Sequence, residues 1–165
     1  MALKSLIGNH PTLKLLVVGD GHELQNLKTL VKKKALERQV IFAGKVRYNQ
    51  VAQYIGAATL CLAPFNTKRN DLTGLSPLKI FEYMACGKPI VTTMVGGLER
   101  IINEHKCGCA VEPDNLEALV EGIDKLLCNP ALCEKLGRNG RRAAEEFYAW
   151  PKISEHILSV ISSTR

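Results

Sequence analysis

Aromatic residues are scarce in this chain: they make up 5% of its 165 residues, with a single tryptophan. The scarcity matters because the net charge is +6. Single-stranded nucleic acid is held by basic grooves interleaved with aromatic stacking platforms. Here the basic runs, Lys32-Lys33-Lys34 and Arg138, Arg141 and Arg142, contain no aromatic residue and lie inside patterns with their own helical apolar stripes. They read as solvated helix faces, and nucleic acid is not an expected partner. The positive charge aids solubility and is compatible with an anionic ligand or with peripheral membrane association at a phospholipid surface.

Long apolar runs are also lacking. No stretch approaches the roughly 18 consecutive apolar residues of a membrane span, and Met1 to Gly8 has no apolar run of signal-peptide length. The cysteines, at 61, 86, 107, 109, 128 and 133, include no C-x-x-C pair and no neighbouring histidine. That removes the spacing by which zinc sites are recognised, so no metal is expected. Cys61, in an apolar strand-like run, and Cys86, at a helix end, read as small buried thiols, and the set as reduced and cytoplasmic. Low complexity, repeats and linkers are missing too, which leaves one compact domain over residues 1–165. Leu3, Leu6 and Ile7 have helical spacing. So abrupt a helical start suggests a piece of a longer protein.

Short apolar runs alternate with longer amphipathic ones. Strands are expected at Leu13 to Val18, Val40 to Ala43, Thr59 to Ala63, Pro89 to Thr92 and Cys109 to Val111. Helices are expected near 23–36, 49–57, 77–86, 97–105, 115–128, 130–147 and 151–162. Strands that read as continuous apolar runs are buried on both faces. The order implies an α/β fold with a single doubly wound parallel sheet, because each parallel connection needs a right-handed crossover, usually a helix. Ligands of such sheets bind outside the carboxyl ends of the strands. The loops to inspect are therefore Gly19 to Gly21, Gly44 to Tyr48, Pro64 to Ser76 and Met94 to Gly97.

Gly19-Asp20-Gly21 follows an apolar strand and precedes a helix, yet Leu24 stands where the dinucleotide fingerprint needs its third glycine. A tight turn is the plain reading, and a ligand passing close to Gly21 is compatible with it. More informative is the stretch from Thr73 to Val91. Ser76 suits an N-cap and Pro77 the first helical position, while Gly87 and Pro89 end the helix. Pro77, Ile80, Phe81, Met84 and Ala85 form its core stripe. A loop carrying Gly74 and Leu75 that feeds the amides of Leu78 and Lys79 is a ready diphosphate site, since unpaired amides and the positive dipole end face outward there. The same signals cap any helix, and both readings stand.

The stretch from Thr73 to Val91 resembles the donor-binding signature of family 4 (group 1) glycosyltransferases, retaining enzymes of the GT-B fold. Leu15 to Gly21, Val40 to Gly44, Tyr54 to Ala58, Ala63-Pro64, Gly96 to Ile102, Val111 to Asp114 and Trp150 resemble the same family in order, so the likeness covers nearly the whole chain. It implies the C-terminal, donor-binding, Rossmann-like half of a GT-B fold. The substrate implied is a nucleoside diphosphate sugar, with no cofactor or metal, and transfer is to a glycan or lipid-linked acceptor. The acceptor-binding N-terminal domain is not in this chain, which accordingly holds no catalytic residue and is expected to be inactive alone.

In such enzymes a Glu, seven residues and a second Glu read the donor. The ribose-binding second position falls on Glu82 and the sugar-reading first on Gly74, for which Asp71 is a substitute in the same loop. Pro77 removes one backbone amide from the phosphate cradle. The amides of Leu78 and Lys79, the Ser76 hydroxyl and the Lys79 charge offset that loss. By the same resemblance, the backbone of Val46 contacts the base. For Glu82 the competing reading is an i, i+3 ion pair with Lys79. For the chain, the alternatives are a separate nucleotide-sugar-binding subunit that works only with a partner, or a GT-B-type epimerase.

Overall fold

The computed structural model describes residues 1–67 and 78–163. Asp71, Gly74, Leu75, Ser76 and Pro77, all assigned roles above, lie outside the described residues. In chain order the elements are α1 (Ala2–Leu6), β1 (Leu15–Val18), α2 (Leu24–Lys33), β2 (Val40–Gly44), α3 (Tyr48–Gly56) and β3 (Cys61–Ala63). There follow α4 (Leu78–Ala85), β4 (Ile90–Thr93), α5 (Leu98–His105), β5 (Gly108–Val111), α6 (Leu116–Leu127), α7 (Pro130–Ala143), a π-helical turn (Ala144–Tyr148) and α8 (Trp150–Ser163). Every expected strand and helix is present, with shifted ends. The helix expected over 130–147 is α-helical only to Ala143 and then widens into the π turn.

All strand pairs are parallel, as expected, but the expected single sheet is two hydrogen-bonded units among the described residues. β1 pairs with β2, and β3, β4 and β5 form the other unit in that order. No described strand bonds to the free side of β1 or β3, which is why the units stay separate. Burial divides the same way. Every residue of β4 is buried, whereas Val18 and Ile41 of the β1–β2 unit are exposed. An apolar run gives a strand the capacity for burial on both faces, but only a layer on each side realises it. β4 has that cover; around β1 and β2, α1 and α2 leave an apolar cavity of about 180 Å³, and Leu27 and Leu30 remain exposed.

Two apolar clusters lie on the faces of the three-stranded unit. One gathers Ile80, Met84, Ile90, Leu98 and Ile102; the other joins Leu6 of α1 to Val91, Val111, Ile123 and Leu126. Helix starts follow local chemistry. The Asn115 side chain accepts from the Ala118 amide at 3.0 Å, and Asn129 accepts from Leu132 at 2.9 Å with Pro130 just inside the helix. The cysteines are all free thiols; Cys86 is only partly buried, against expectation. Burial pushes the Cys61 thiol up to about 12 and Cys107 to about 11, so both stay protonated and inert. No described helix is long and apolar enough to cross a membrane.

Helix α7 approaches α4 closely because its contact residues are glycines. A Cβ on Gly137 would stand 2.2 Å from the Gly87 carbonyl oxygen, a backbone atom with little room to yield. Gly137→Ala is therefore expected to lower stability by about 1–3 kcal/mol through overpacking, despite alanine's better helix propensity. At Gly56, the last residue of α3, a Cβ would meet nothing within 4 Å. Gly56→Ala is expected to raise stability by about 0.4–1 kcal/mol. Urea unfolding midpoints of the two variants, moving in opposite directions, check the packing.

Candidate nucleotide-binding site

Helix α4 divides into a buried and a free face. Ile80 and Met84, one turn apart, have no accessible surface and anchor the helix in the core below β4. Phe81 packs against Tyr148 of the π turn with ring centroids 4.4 Å apart. At the other end, the Arg141 guanidinium of α7 donates to the Ala85 carbonyl, one of the acceptors a helix leaves unpaired at its carboxyl terminus. With both ends held, the orientation of the remaining side chains is fixed. Leu78 and Lys79 are exposed, and Glu82 is partly buried on the same side.

Lys79 leans over the Phe65 ring, its Nζ 5.1 Å from the centroid. Phe65 opens the loop after β3 and is gripped by Thr93 at the end of β4. The Phe65 amide donates to Thr93 Oγ1 at 2.9 Å, and the same hydroxyl donates to the Phe65 carbonyl at 2.8 Å. Tyr83, beside Glu82, donates its hydroxyl to the Leu62 carbonyl over a long 3.5 Å. Burial, with smaller contributions from Cys61 and Glu82, pushes its phenol up to about 12. Tyr83 is thus a permanently protonated strut between α4 and β3.

The Glu82 carboxylate makes no hydrogen bond or ion pair with any described residue, so the competing i, i+3 pair with Lys79 is not formed. Elsewhere the exposed helices do pair their charges at this spacing, as Lys152 does with Glu155 at 2.8 Å. A carboxylate half-withdrawn from water without a partner is an acceptor available to a ligand. Gly21 and Val46 stand apart from α4, at the carboxyl ends of β1 and β2. Gly21 is exposed in the turn before α2, and Val46 is partly buried just before the Arg47 amide donates to Gln50 Oε1 at 3.2 Å. The Gly19 amide, bonded to the Gly44 carbonyl at 2.8 Å, ties those two turns together.

Sequence reasoning assigned no individual role to Phe65, Thr93 or Glu99. Glu99 lies in the first turn of α5, two residues after the Gly96-Gly97 pair, whose φ values are +60° and +82°. Its Oε2 is buried without a hydrogen-bond partner among the described residues. An acid after two glycines at a helix start was the available signal, since the helix dipole favours a carboxylate there. After β5, an open depression of about 490 Å³ is lined by Glu112, Asp114 and Glu117. Those carboxylates make this depression unfavourable for a diphosphate. The Thr93 grip gives a test: Thr93→Val, which strands two Phe65 backbone groups, is expected to cost about 1–3 kcal/mol in urea unfolding. Thr93→Ser should retain most of that stability.

Comparison with known proteins identifies the family and the fold. The family model for glycosyl transferases group 1 matches residues 1–143. An uncharacterized glycosyltransferase of Haemophilus influenzae is 32% identical over 157 residues, 94% of this chain and 42% of that protein. A GDP-mannose-dependent alpha-(1-6)-phosphatidylinositol monomannoside mannosyltransferase of Mycolicibacterium smegmatis is 24% identical over 99% of this chain and 43% of its own. Among solved structures, sucrose-phosphate synthase from Thermosynechococcus elongatus superposes with a TM-score of 0.82 at 28% identity, covering 99% of this chain and 41% of that one. The chain thus spans about two fifths of the length of these relatives. On the match over residues 1–143 and a fold shared with GT-B glycosyltransferases, the chain belongs to the group 1 glycosyltransferase family.

Proposed function

We propose that this chain is the donor-binding half of a retaining glycosyltransferase and that α4 is its nucleoside-diphosphate-sugar reader. The observation that carries the reading is Glu82: a partly buried carboxylate, unpaired among the described residues, on a helix whose other face is locked in the core. One helical turn spans about 5.4 Å. A diphosphate held by the Leu78 and Lys79 amides therefore brings the adjoining ribose alongside Glu82, whose oxygens accept from the two hydroxyls. Lys79 adds charge to the phosphate end, and the stacked Phe65 ring limits where its ammonium travels. The base lies against the loop from Gly44 to Tyr48, with the Val46 backbone as its contact. Among the relatives, the mannosyltransferase is named for a GDP-mannose donor, which fits a nucleoside diphosphate sugar here.

The chemistry asked of this half is electrostatic. As the glycosidic bond to the diphosphate breaks, negative charge gathers on the leaving phosphate, and the helix dipole, the amides and Lys79 stabilise it in place. In this reading no metal takes part. For the transferred sugar, the carboxylate missing at Gly74 has two stand-ins, Asp71 and Glu99. Glu99 brings a buried acceptor oxygen whose partner is a sugar hydroxyl. A further domain, outside this chain, holds the acceptor and completes the active site.

Titration calorimetry with a panel of nucleoside diphosphates and the matching sugar donors tests the assignments. Glu82→Gln is expected to weaken nucleotide binding by about 1.5–3 kcal/mol with folding intact, since a charged acceptor for two hydroxyls is lost. Lys79→Ala should weaken the diphosphate more than the free nucleoside. Glu99→Gln should weaken the sugar donor and leave the bare diphosphate unchanged. Unaltered affinity in a folded Glu82→Gln variant contradicts the proposal.

A further inference from the structure

A second cluster of side chains lies away from α4. His10, in the turn after α1, places Nε2 2.7 Å from Asp124 Oδ1, and Cys128 Sγ stands 4.0 Å from that same nitrogen and 3.8 Å from Asp124 Oδ2. One donor atom from each residue falls within 4.8 Å of the other two. Asp124 and Cys128 are four apart and share a face at the end of α6. His10 comes from more than a hundred positions earlier, so the grouping was invisible to spacing rules that look for neighbouring cysteines and histidines.

The arrangement is wrong for a nucleophile. In a Cys–His–Asp relay the thiol and the carboxylate occupy different ring nitrogens, so that a proton passes from one side of the imidazole to the other. Here both approach Nε2, converging on one point. Convergence of a thiol, an imidazole nitrogen and a carboxylate is what a borderline divalent cation requires. With zinc-to-ligand bonds of about 2.0–2.3 Å, a tetrahedral site has ligand separations of about 3.3–3.6 Å. The His10 contact to Asp124 Oδ1 is shorter than that range by about 0.6 Å, and the Cys128 contacts to His10 and to the other carboxylate oxygen, Oδ2, are longer by about 0.2–0.4 Å, so a small rotation of the carboxylate and of the Cys128 side chain brings one atom from each residue to a shared ion. Two further features favour a cation. Cys128 is the carboxyl cap of α6, with its amide bonded to the Asp124 carbonyl at 2.9 Å, so the negative end of the helix dipole faces the cluster. Cys128 is exposed, and the His10 and Asp124 side chains retain 20% and 34% of their accessibility, which leaves a path for the ion and room for a water as fourth ligand.

We propose that His10, Asp124 and Cys128 form a binding site for one zinc-class divalent cation. His10 enters as neutral imidazole with its proton on Nδ1, Asp124 as carboxylate, and Cys128 as thiolate. Each ion bound releases the Cys128 thiol proton to solvent, so affinity falls as pH is lowered. The site clamps the turn after α1 to the end of α6. It lies toward the opposite edge from the proposed nucleotide site: α6 begins after the four residues that follow β5, and its axis carries Asp124 about 12 Å and Cys128 about 18 Å from the helix start.

Cobalt(II) and zinc(II) titrations of the metal-free chain at neutral pH test this. One cobalt per chain should bind, with a thiolate-to-cobalt charge-transfer absorption that zinc displaces, and zinc should raise the melting temperature. Cys128→Ser keeps the His10–Asp124 hydrogen bond but should weaken binding at least tenfold and abolish that absorption; His10→Gln should weaken binding likewise. Cys86→Ser, which alters another accessible thiol, should change neither. Absence of saturable binding at one ion per chain, absence of the charge-transfer band in the unaltered chain, or equal affinity in Cys128→Ser overturns the proposal, and the His10–Asp124 contact is then only a tie between α1 and α6.

Discussion

The burial of Ile80 and Met84 is the constraint on which the site rests. Both side chains lie wholly inside the cluster below β4, and a full turn of α4 separates them, so the helix cannot rotate without bringing apolar surface into water. Everything on its other side is thereby aimed. Lys79 meets the Phe65 ring, Glu82 is left partly shielded without a partner among the described residues, and Tyr83 reaches β3. Helix α7 closes the arrangement from outside, where Gly137 and Gly140 admit close approach and Arg141 takes up the Ala85 carbonyl. The residues that hold the site and those proposed to read the ligand are therefore interleaved on one short helix.

Much of this was legible beforehand because the signals are local. Gly87 and Pro89 mark the end of α4 by chemistry that operates within a few residues, and the apolar runs within 13–18, 40–43 and 89–92 mark strands whatever their neighbours do. The division of the sheet was not legible. β1 is the more apolar of the two strands, Leu-Leu-Val-Val against Ile-Val-Thr-Thr in β4, yet the covering layers leave Val91 and both threonines buried and Val18 exposed. Pairwise meetings across the chain were hidden for the same reason. Nothing in the sequence announces that the Thr93 hydroxyl will hold both backbone groups of Phe65, 28 positions earlier, or that His10 will meet Asp124 and Cys128.

The two edges of the domain carry different chemistry. At the carboxyl ends of the strands, amides at helix starts and the Lys79 ammonium supply positive potential, and Glu82 and Glu99 are the carboxylates proposed to accept from ligand hydroxyls. At the far end of α6 the signs reverse: a helix carboxyl terminus, a carboxylate and a thiol surround the proposed cation site. This polarity follows from parallel strands alternating with helices, since each helix turns its amino end to one edge and its carboxyl end to the other.

The most direct test of the central claim is a crystal structure of the chain with a bound nucleoside diphosphate. The account predicts the diphosphate at the amino end of α4, the ribose hydroxyls within hydrogen-bonding distance of the Glu82 carboxylate, and the base against the loop from Gly44 to Tyr48. A nucleotide bound elsewhere, or one whose ribose leaves Glu82 without a contact, contradicts it.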